Sequence, residues 1–178
     1  MKQLETDRLI LRDFCKEDLD DFYNYCKLKT VGPNAGWKPH TDKEESRVIL
    51  KSFIEKGDVY AVVSKKENIV IGSVGLHKKI DLKGKIHYEI GYVLSTHYEG
   101  KGLMTEAVKR VLRHAFLELE LEDIMVCHFI ENEKSKRVID KCGFTFTSIG
   151  PHKTIHFGVK KSKYYSLRRE DYIKLLED

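Results

Sequence analysis

Residues 97–112 read HYEGKGLMTEAVKRVL: two glycines flank a lysine, and a helical pattern begins at the very next residue. Leu103, Met104, Ala107, Val108, Val111, Leu112, Ala115, Phe116 and Leu119 recur in pairs every four residues, which predicts a long helix with one buried face. Residues 86–94 just before the turn read as a strand, so the chain must pass from strand to helix through Gly100–Lys101–Gly102. The first N–H groups of a helix lack intrahelical partners, and the helix dipole is positive there. Glycine on both sides lets the backbone approach an anion with no Cβ in the way. Two familiar phosphate motifs are excluded. No GxxxxGK[ST] run is present, and Thr105 stands where a dinucleotide fingerprint needs its third glycine.

The remaining elements fall around this junction. Residues 9–13 alternate as a first strand, and Leu19, Phe22, Tyr23 and Cys26 recur at helical spacing. The stretch VGPNAGWKPH (31–40), with two prolines and two glycines, reads as a loop. Thr41 and Glu44 predict a capping box for a helix that Gly57 closes. Strands are predicted over 60–64, 69–77 and 86–94, joined by turns at 67–68 and 81–85 into an antiparallel meander. A buried strand over 124–130 and a helix over 133–141 ending at Gly143 come next. Strands over 144–149 and 164–168 and a last helical turn over 172–176 complete an α+β chain, read as one domain over 1–178.

Composition narrows the function classes. At 41% hydrophobic and 34% charged residues, the chain fits a water-soluble globular protein, and no apolar run is long enough for a membrane helix. A net charge of +4 with interspersed signs supports an anionic small ligand, not a nucleic acid. MKQLETDRL lacks the apolar core of a signal peptide, so a cytoplasmic location is expected. Cys15, Cys26, Cys127 and Cys142 form no CxxC pair and are expected to be small hydrophobes in a reducing compartment. The histidines on predicted strands, His77, His87 and His128, read first as structural, and no metal is expected.

Four further stretches combine with the glycine turn. HYEGKGLMTEA resembles the acyl-CoA turn of the GNAT superfamily of N-acetyltransferases, Q/R-x-x-G-x-G/A, with His97 in place of the usual Gln or Arg. TDRLILRDF (6–14), YEIGYVL (88–94), IENEKSKRVIDKCGF (130–144) and YYSLRREDY (164–172) resemble the RimJ/RimL-type branch, in that family's order. The resemblance implies the GNAT fold: a mixed, mostly antiparallel twisted sheet, splayed at its central strand and flanked by helices. It also implies acetyl-CoA as co-substrate, with its pyrophosphate on the amides of Gly100, Lys101, Gly102, Leu103, Met104 and Thr105.

In that family the acceptor amine attacks the thioester directly. The amine must be neutral, the oxyanion stabilised and the leaving thiolate protonated. An α-amine has a pKa near 8 and a lysine amine about 10.4, so a proton must leave first. By resemblance Glu89 is the leading base, and His87, two residues away on the same face, is the alternative. Val93 and Leu94 are expected to offer backbone to the thioester and the pantetheine arm, the Val93 amide serving as oxyanion donor. Asn132 is expected to bind pantetheine and Ser135 to stand near the sulfur, although N-x-x-S at a helix start is also a plain cap. No covalent acyl-cysteine is expected.

Trp37 and His40 are candidates to wall the acceptor pocket together with His87 and Glu89, or else to plug the core under the first helices. The partners expected are acetyl-CoA and an amine, peptide or small molecule, with neither nucleic acid nor membrane, in a monomer or homodimer. A ribosomal-protein-type N-terminal amine is the leading acceptor. Detoxification of a small-molecule amine or antibiotic is the alternative enzyme, and a CoA-binding regulatory protein with little turnover is the alternative outside enzymes.

Overall fold

Strand β3 (Val59–Ser64) is buried at every position, so both faces of the sheet around it must be covered. The computed structural model describes residues 1–80 and 84–177. Eight strands form one sheet in the order β1-β2-β3-β4-β5-β6-β8-β7. They are β1 (Leu4–Glu5), β2 (Leu9–Asp13), β3, β4 (Ile69–Ile80), β5 (Ile86–Leu94), β6 (Asp123–Phe129), β7 (Thr145–Lys153) and β8 (Val159–Arg168). Every neighbouring pair is antiparallel except β5 and β6.

Alternation along β3 sends Tyr60 and Val62 to one face and Val59, Ala61 and Val63 to the other. Helix α4 (Leu103–Leu117) covers the first face, burying Leu103, Met104, Ala107, Val108, Val111, Leu112, Ala115 and Phe116. At roughly 1.5–3 kcal/mol for each large apolar side chain, this stripe outweighs any cap and holds the helix in place. Helices α1 (Leu19–Cys26) and α3 (Lys43–Lys56) cover the second face with Phe22, Tyr25, Cys26 and Leu50. Helix α5 (Glu133–Lys141) packs beside α4, and α6 (Arg169–Glu177) ends the described chain with Tyr172 against Phe116.

Several boundaries differ from the sequence reading. The cap of α3 is Asp42, whose Oδ1 accepts the Glu45 N–H at 2.9 Å, while Glu45 Oε2 accepts the Thr41 N–H at 2.8 Å. The box thus sits one residue later than Thr41/Glu44, because Asp42 is the last residue with extended backbone. Residues 31–40 include one helical turn, α2 (Gly32–Ala35), which Pro33 tolerates at its start and Gly36 closes at φ 89°. Strands β7 and β8 run longer than predicted because β7 is mostly exposed and the first half of β8, polar over residues 160–163, lacks the apolar alternation the prediction needs. The terminal helix begins at Arg169, earlier than predicted, and the short edge strand β1 was not anticipated. Of the predicted turn at 81–85, residues 81–83 lie outside the described residues. The meander β3-β4-β5 and the glycine stops at Gly57 (φ 60°) and Gly143 (φ 82°) are as expected. Among the described residues no helix is long and apolar enough to cross a membrane.

The cap yields a direct test. Asp42→Ala is expected to lower stability in urea denaturation by about 1 kcal/mol, whereas Glu44→Ala, whose side chain pairs with the exposed Arg47, should change it by less than half as much.

Candidate active site

Strands β5 and β6 pair at only two positions, Tyr88 with Ile124 and Glu89 with Met125. Past that point β5 stays with β4 as far as Leu94, while β6 stays with β8 as far as Phe129. The two strands therefore part, and a cleft of about 670 Å³ opens between them, lined by residues 89–94 of β5 and 126–129 of β6.

The ladder decides which backbone groups line the gap. Ser95 donates its N–H to the Ile71 carbonyl at 2.8 Å, and no register shift interrupts β4 against β5. Every second residue faces the same way, so Gly91 and Val93 turn their backbone groups toward β4, and Ile90, Tyr92 and Leu94 turn theirs toward the gap. This corrects the expectation for Val93. Its amide belongs to the ladder, and its side chain packs with the second core cluster.

At one end of the cleft stands the glycine turn. Gly100 and Gly102 have φ of 76° and 75°, a region that side chains rarely adopt, and a Cβ on Gly100 would meet nothing within 4 Å. The first bond of α4 runs from the Glu106 N–H to the Gly102 carbonyl at 3.0 Å. The amides of Leu103, Met104 and Thr105 are left without an intrahelical acceptor. The turn is fixed from outside by Arg8, which donates from Nη1 to the Lys101 carbonyl (2.9 Å) and from Nε to Glu106 Oε2 (2.7 Å). Glu106 also accepts from the Thr6 hydroxyl (2.5 Å) and the Arg8 amide (3.1 Å). Its carboxyl is held below the ordinary range: burial opposes this, and the bonds from Thr6 and Arg8 outweigh it. Lys134 of α5 pairs with Glu99 on the other flank.

On the α4 side, Asn132 caps α5 through Oδ1, accepting the Ser135 N–H at 3.1 Å, and both residues line the cleft. The Ser135 hydroxyl lies 2.9 Å from the phenol oxygen of Tyr92, whose ionisation burial pushes well above the usual range against the opposing bond from Ser135. Tyr92 was not singled out in the sequence, yet alternation from the buried Ile90 along β5 points to it.

Glu89 lines the cleft from the opposite face of β5, next to Cys127 of β6 (Sγ to Oε1, 3.9 Å). Cys127 lies 3.5 Å from Nδ1 of His152, a residue of β7 that the sequence reading missed. Burial first, then the Glu89 carboxylate, pushes the Cys127 thiol up to about 12, so it is no thiolate nucleophile at neutral pH. His87 sits opposite Lys79, away from the cleft lining. Trp37 and His40 also lie outside that lining. The buried His40 holds Ser46 Oγ at 2.7 Å and packs on Phe22 and Trp37. The residues of that region that do reach the cleft are Thr30, Val31, Asn34 and Ala35. His77 pairs with Asp58, and His128 bridges the Phe129 carbonyl and the Tyr165 hydroxyl. His152 and His156 are four residues apart, but among the described residues no group of three His, Cys, Asp or Glu is placed to hold a metal.

The family model described as "Acetyltransferase (GNAT) domain" matches residues 8–145. The chain belongs to this family. As a GNAT protein it is an acetyl-CoA-dependent N-acetyltransferase. A curated relative, the uncharacterized N-acetyltransferase YnaD of Bacillus subtilis (strain 168), is 28% identical over 140 residues, 79% of this chain and 81% of that one. A solved GNAT-family acetyltransferase from Bacillus anthracis superposes with a TM-score of 0.83 at 26% identity, over 95% of this chain and 99% of the other. The ribosomal-protein-S5-alanine acetyltransferase of Vibrio fischeri superposes with a TM-score of 0.76 at 23% identity, over 97% and 99% of the two chains.

The GNAT co-substrate fits what this chain offers: open space over Gly100, amides without intrahelical acceptors, and a strand edge facing the gap. Arg8 is the test of how the turn is held. Arg8→Ala is expected to raise the Kd for CoA about tenfold, the loss of two charge-assisted hydrogen bonds being shared with solvent. Isothermal titration should show this, while far-ultraviolet circular dichroism stays that of the parent.

Proposed function

We propose that residues 1–178 act as one acetyltransferase domain that carries the acetyl group of acetyl-CoA to a primary amine in a ternary complex, the acceptor being a protein N-terminal amine. The observation that carries the transfer is the parting of β5 from β6 beside the glycine turn. It gives the donor one face of the sheet and the acceptor the other.

When bound, acetyl-CoA supplies the activated thioester. The amides of residues 100–105 hold its pyrophosphate, and Arg137 and Lys141 of α5, which also line the cleft, add positive charge. The Ile90, Tyr92 and Leu94 backbone takes the pantetheine arm as an added strand and donates to the developing oxyanion. Ser135, held against the Tyr92 phenol, faces the departing sulfur as a hydrogen-bond donor. Glu89 draws the incoming ammonium to the acceptor face.

For the acceptor, the cleft is bounded by Thr30, Asn34 and His152 and open beyond them, so a chain can extend outward from its reacting amine. The likeness to the Vibrio fischeri enzyme is one of fold. The four cysteines are free thiols, in keeping with a cytoplasmic setting.

Thiol release from acetyl-CoA with alanine- and serine-initiated peptides, spermidine and an amine antibiotic tests the reading. Turnover is expected with the peptides. Preference for the antibiotic or the polyamine would make it a small-molecule enzyme, and CoA binding without thiol release for any acceptor would leave a regulator. Ser135→Ala is expected to lower kcat about tenfold, the worth of one hydrogen bond in the transition state, with a smaller change in the Kd for CoA. Equal losses in both would reduce the Ser135 hydroxyl to a CoA-binding contact with no part in the chemical step.

A further inference from the structure

The hairpin of β7 and β8 brings His152 into the cleft, on the acceptor face, where the transfer described above has given it no task. Its Nδ1 lies 3.5 Å from Cys127 Sγ and 3.4 Å from the Tyr164 hydroxyl oxygen. Each of those neighbours has a single hydrogen to donate. Tyr164 gives its own to the Pro151 carbonyl at 2.8 Å, and Cys127 gives its own to Glu89 Oε1 at 3.9 Å. With the thiol hydrogen directed to the carboxylate, the stronger acceptor of the two, both atoms beside Nδ1 act as acceptors and the ring hydrogen belongs on Nδ1, an assignment that the proposal below adopts and its first measurement tests. In a neutral imidazole the lone pair then belongs to Nε2. Among the described residues Nε2 has no protein partner, and it is not among the side-chain atoms sealed from solvent without one.

We propose that His152 is the proton acceptor for the incoming amine, with Cys127 and Glu89 as the positioning residues that fix its tautomer. The inference rests on the acetyl-transfer reading and deepens it. The acceptor R–NH3⁺ gives one proton to Nε2, leaving imidazolium and a neutral amine. The amine's lone pair forms the C–N bond as the C–S bond breaks, and that electron pair goes to sulfur. The second nitrogen proton passes to the thiolate, and the imidazolium returns its proton to solvent. The sum is one amide, one CoA thiol and one free proton.

An imidazole suits a proton acceptor near neutral pH better than a carboxylate does. Burial, reinforced by Glu89, keeps the proton on the Cys127 sulfur, so the bridge from Glu89 to His152 persists across the working range. The charged and titratable groups around the ring are Glu89 on β5, Cys127 on β6, and Tyr164 and Lys160 on β8; Lys160 stands opposite His152 with its ammonium over the Phe129 ring. Lys79 of β4 also acts on Cys127, opposing its upward shift. Since the neutral ring is the active form, kcat/KM should fall on acidification.

Two measurements on the full chain test this. Long-range ¹H–¹⁵N correlation of the ligand-free protein, assigned by the resonance lost in His152→Gln, should show the Nδ1–H tautomer; an Nε2–H tautomer would overturn the proposal. In kinetics, His152→Gln should lower kcat/KM for an alanine-initiated peptide roughly 100-fold and leave an acid limb set by the acceptor amine alone, with a midpoint near the α-amine value of about 8. Hydroxylamine is already neutral at pH 8, and the loss with it should be smaller by about tenfold or more. Equal losses for both acceptors, or an unchanged pH profile, would refute the role. A parent protein that acetylates nothing would instead sink the acetyl-transfer reading, with the tautomer still decided by the spectrum.

Discussion

Two pairs of residues join β5 to β6, and then the strands separate. Much of the site follows from that short parallel ladder. Each strand has a full antiparallel partner on its other side, β4 for β5 and β8 for β6, so neither can follow the other without breaking a longer ladder. The edge left between them carries strand amides and carbonyls with no strand beside them, groups that elsewhere invite another chain. Here they face a cleft, where a linear ligand with amides of its own can complete them. The core pays for the arrangement: α4 closes the first face over both sides of the parting, and Ile90 and Val126 remain buried within it.

The turn at the end of the cleft depends on residues far away in sequence. Gly100 and Gly102 supply a conformation, but glycine by itself leaves the segment loose. Arg8 ties the Lys101 carbonyl to Glu106, and Thr6 joins the same carboxylate, so the amino-terminal strand region holds the glycine turn. The Lys134–Glu99 pair does the same from α5. The shape of the turn and the packing of three separate elements are therefore one network.

What the sequence disclosed followed from the physics of each element. The α4 stripe and the positive-φ glycines were legible because helical period and glycine geometry are local properties. The Asp42 cap was missed by one residue, since Thr41 with Glu44 and Asp42 with Glu45 offer two boxes in adjacent registers and only backbone geometry chooses between them. Val93 was expected to present an amide that the ladder uses; the side of a strand that faces its partner depends on register, set here by Ser95 on Ile71. Trp37 and His40 carried the right polarity for a pocket wall but fill the second core. His152 gave no signal, because the exposed hairpin has no apolar rhythm and its approach to Cys127 is a tertiary event.

The central claim is that the cleft between the parted strands, ending on the glycine turn, is where acetyl-CoA lies. Amide chemical-shift mapping with CoA tests it most directly. The account predicts the largest shifts at residues 100–105 and at Ile90, Tyr92 and Leu94, with those of Gly91 and Val93 smaller, and weaker shifts at 100–105 when the pyrophosphate-free pantetheine is used. Shifts that leave residues 100–105 unmoved, or that follow Gly91 and Val93 instead, would contradict it.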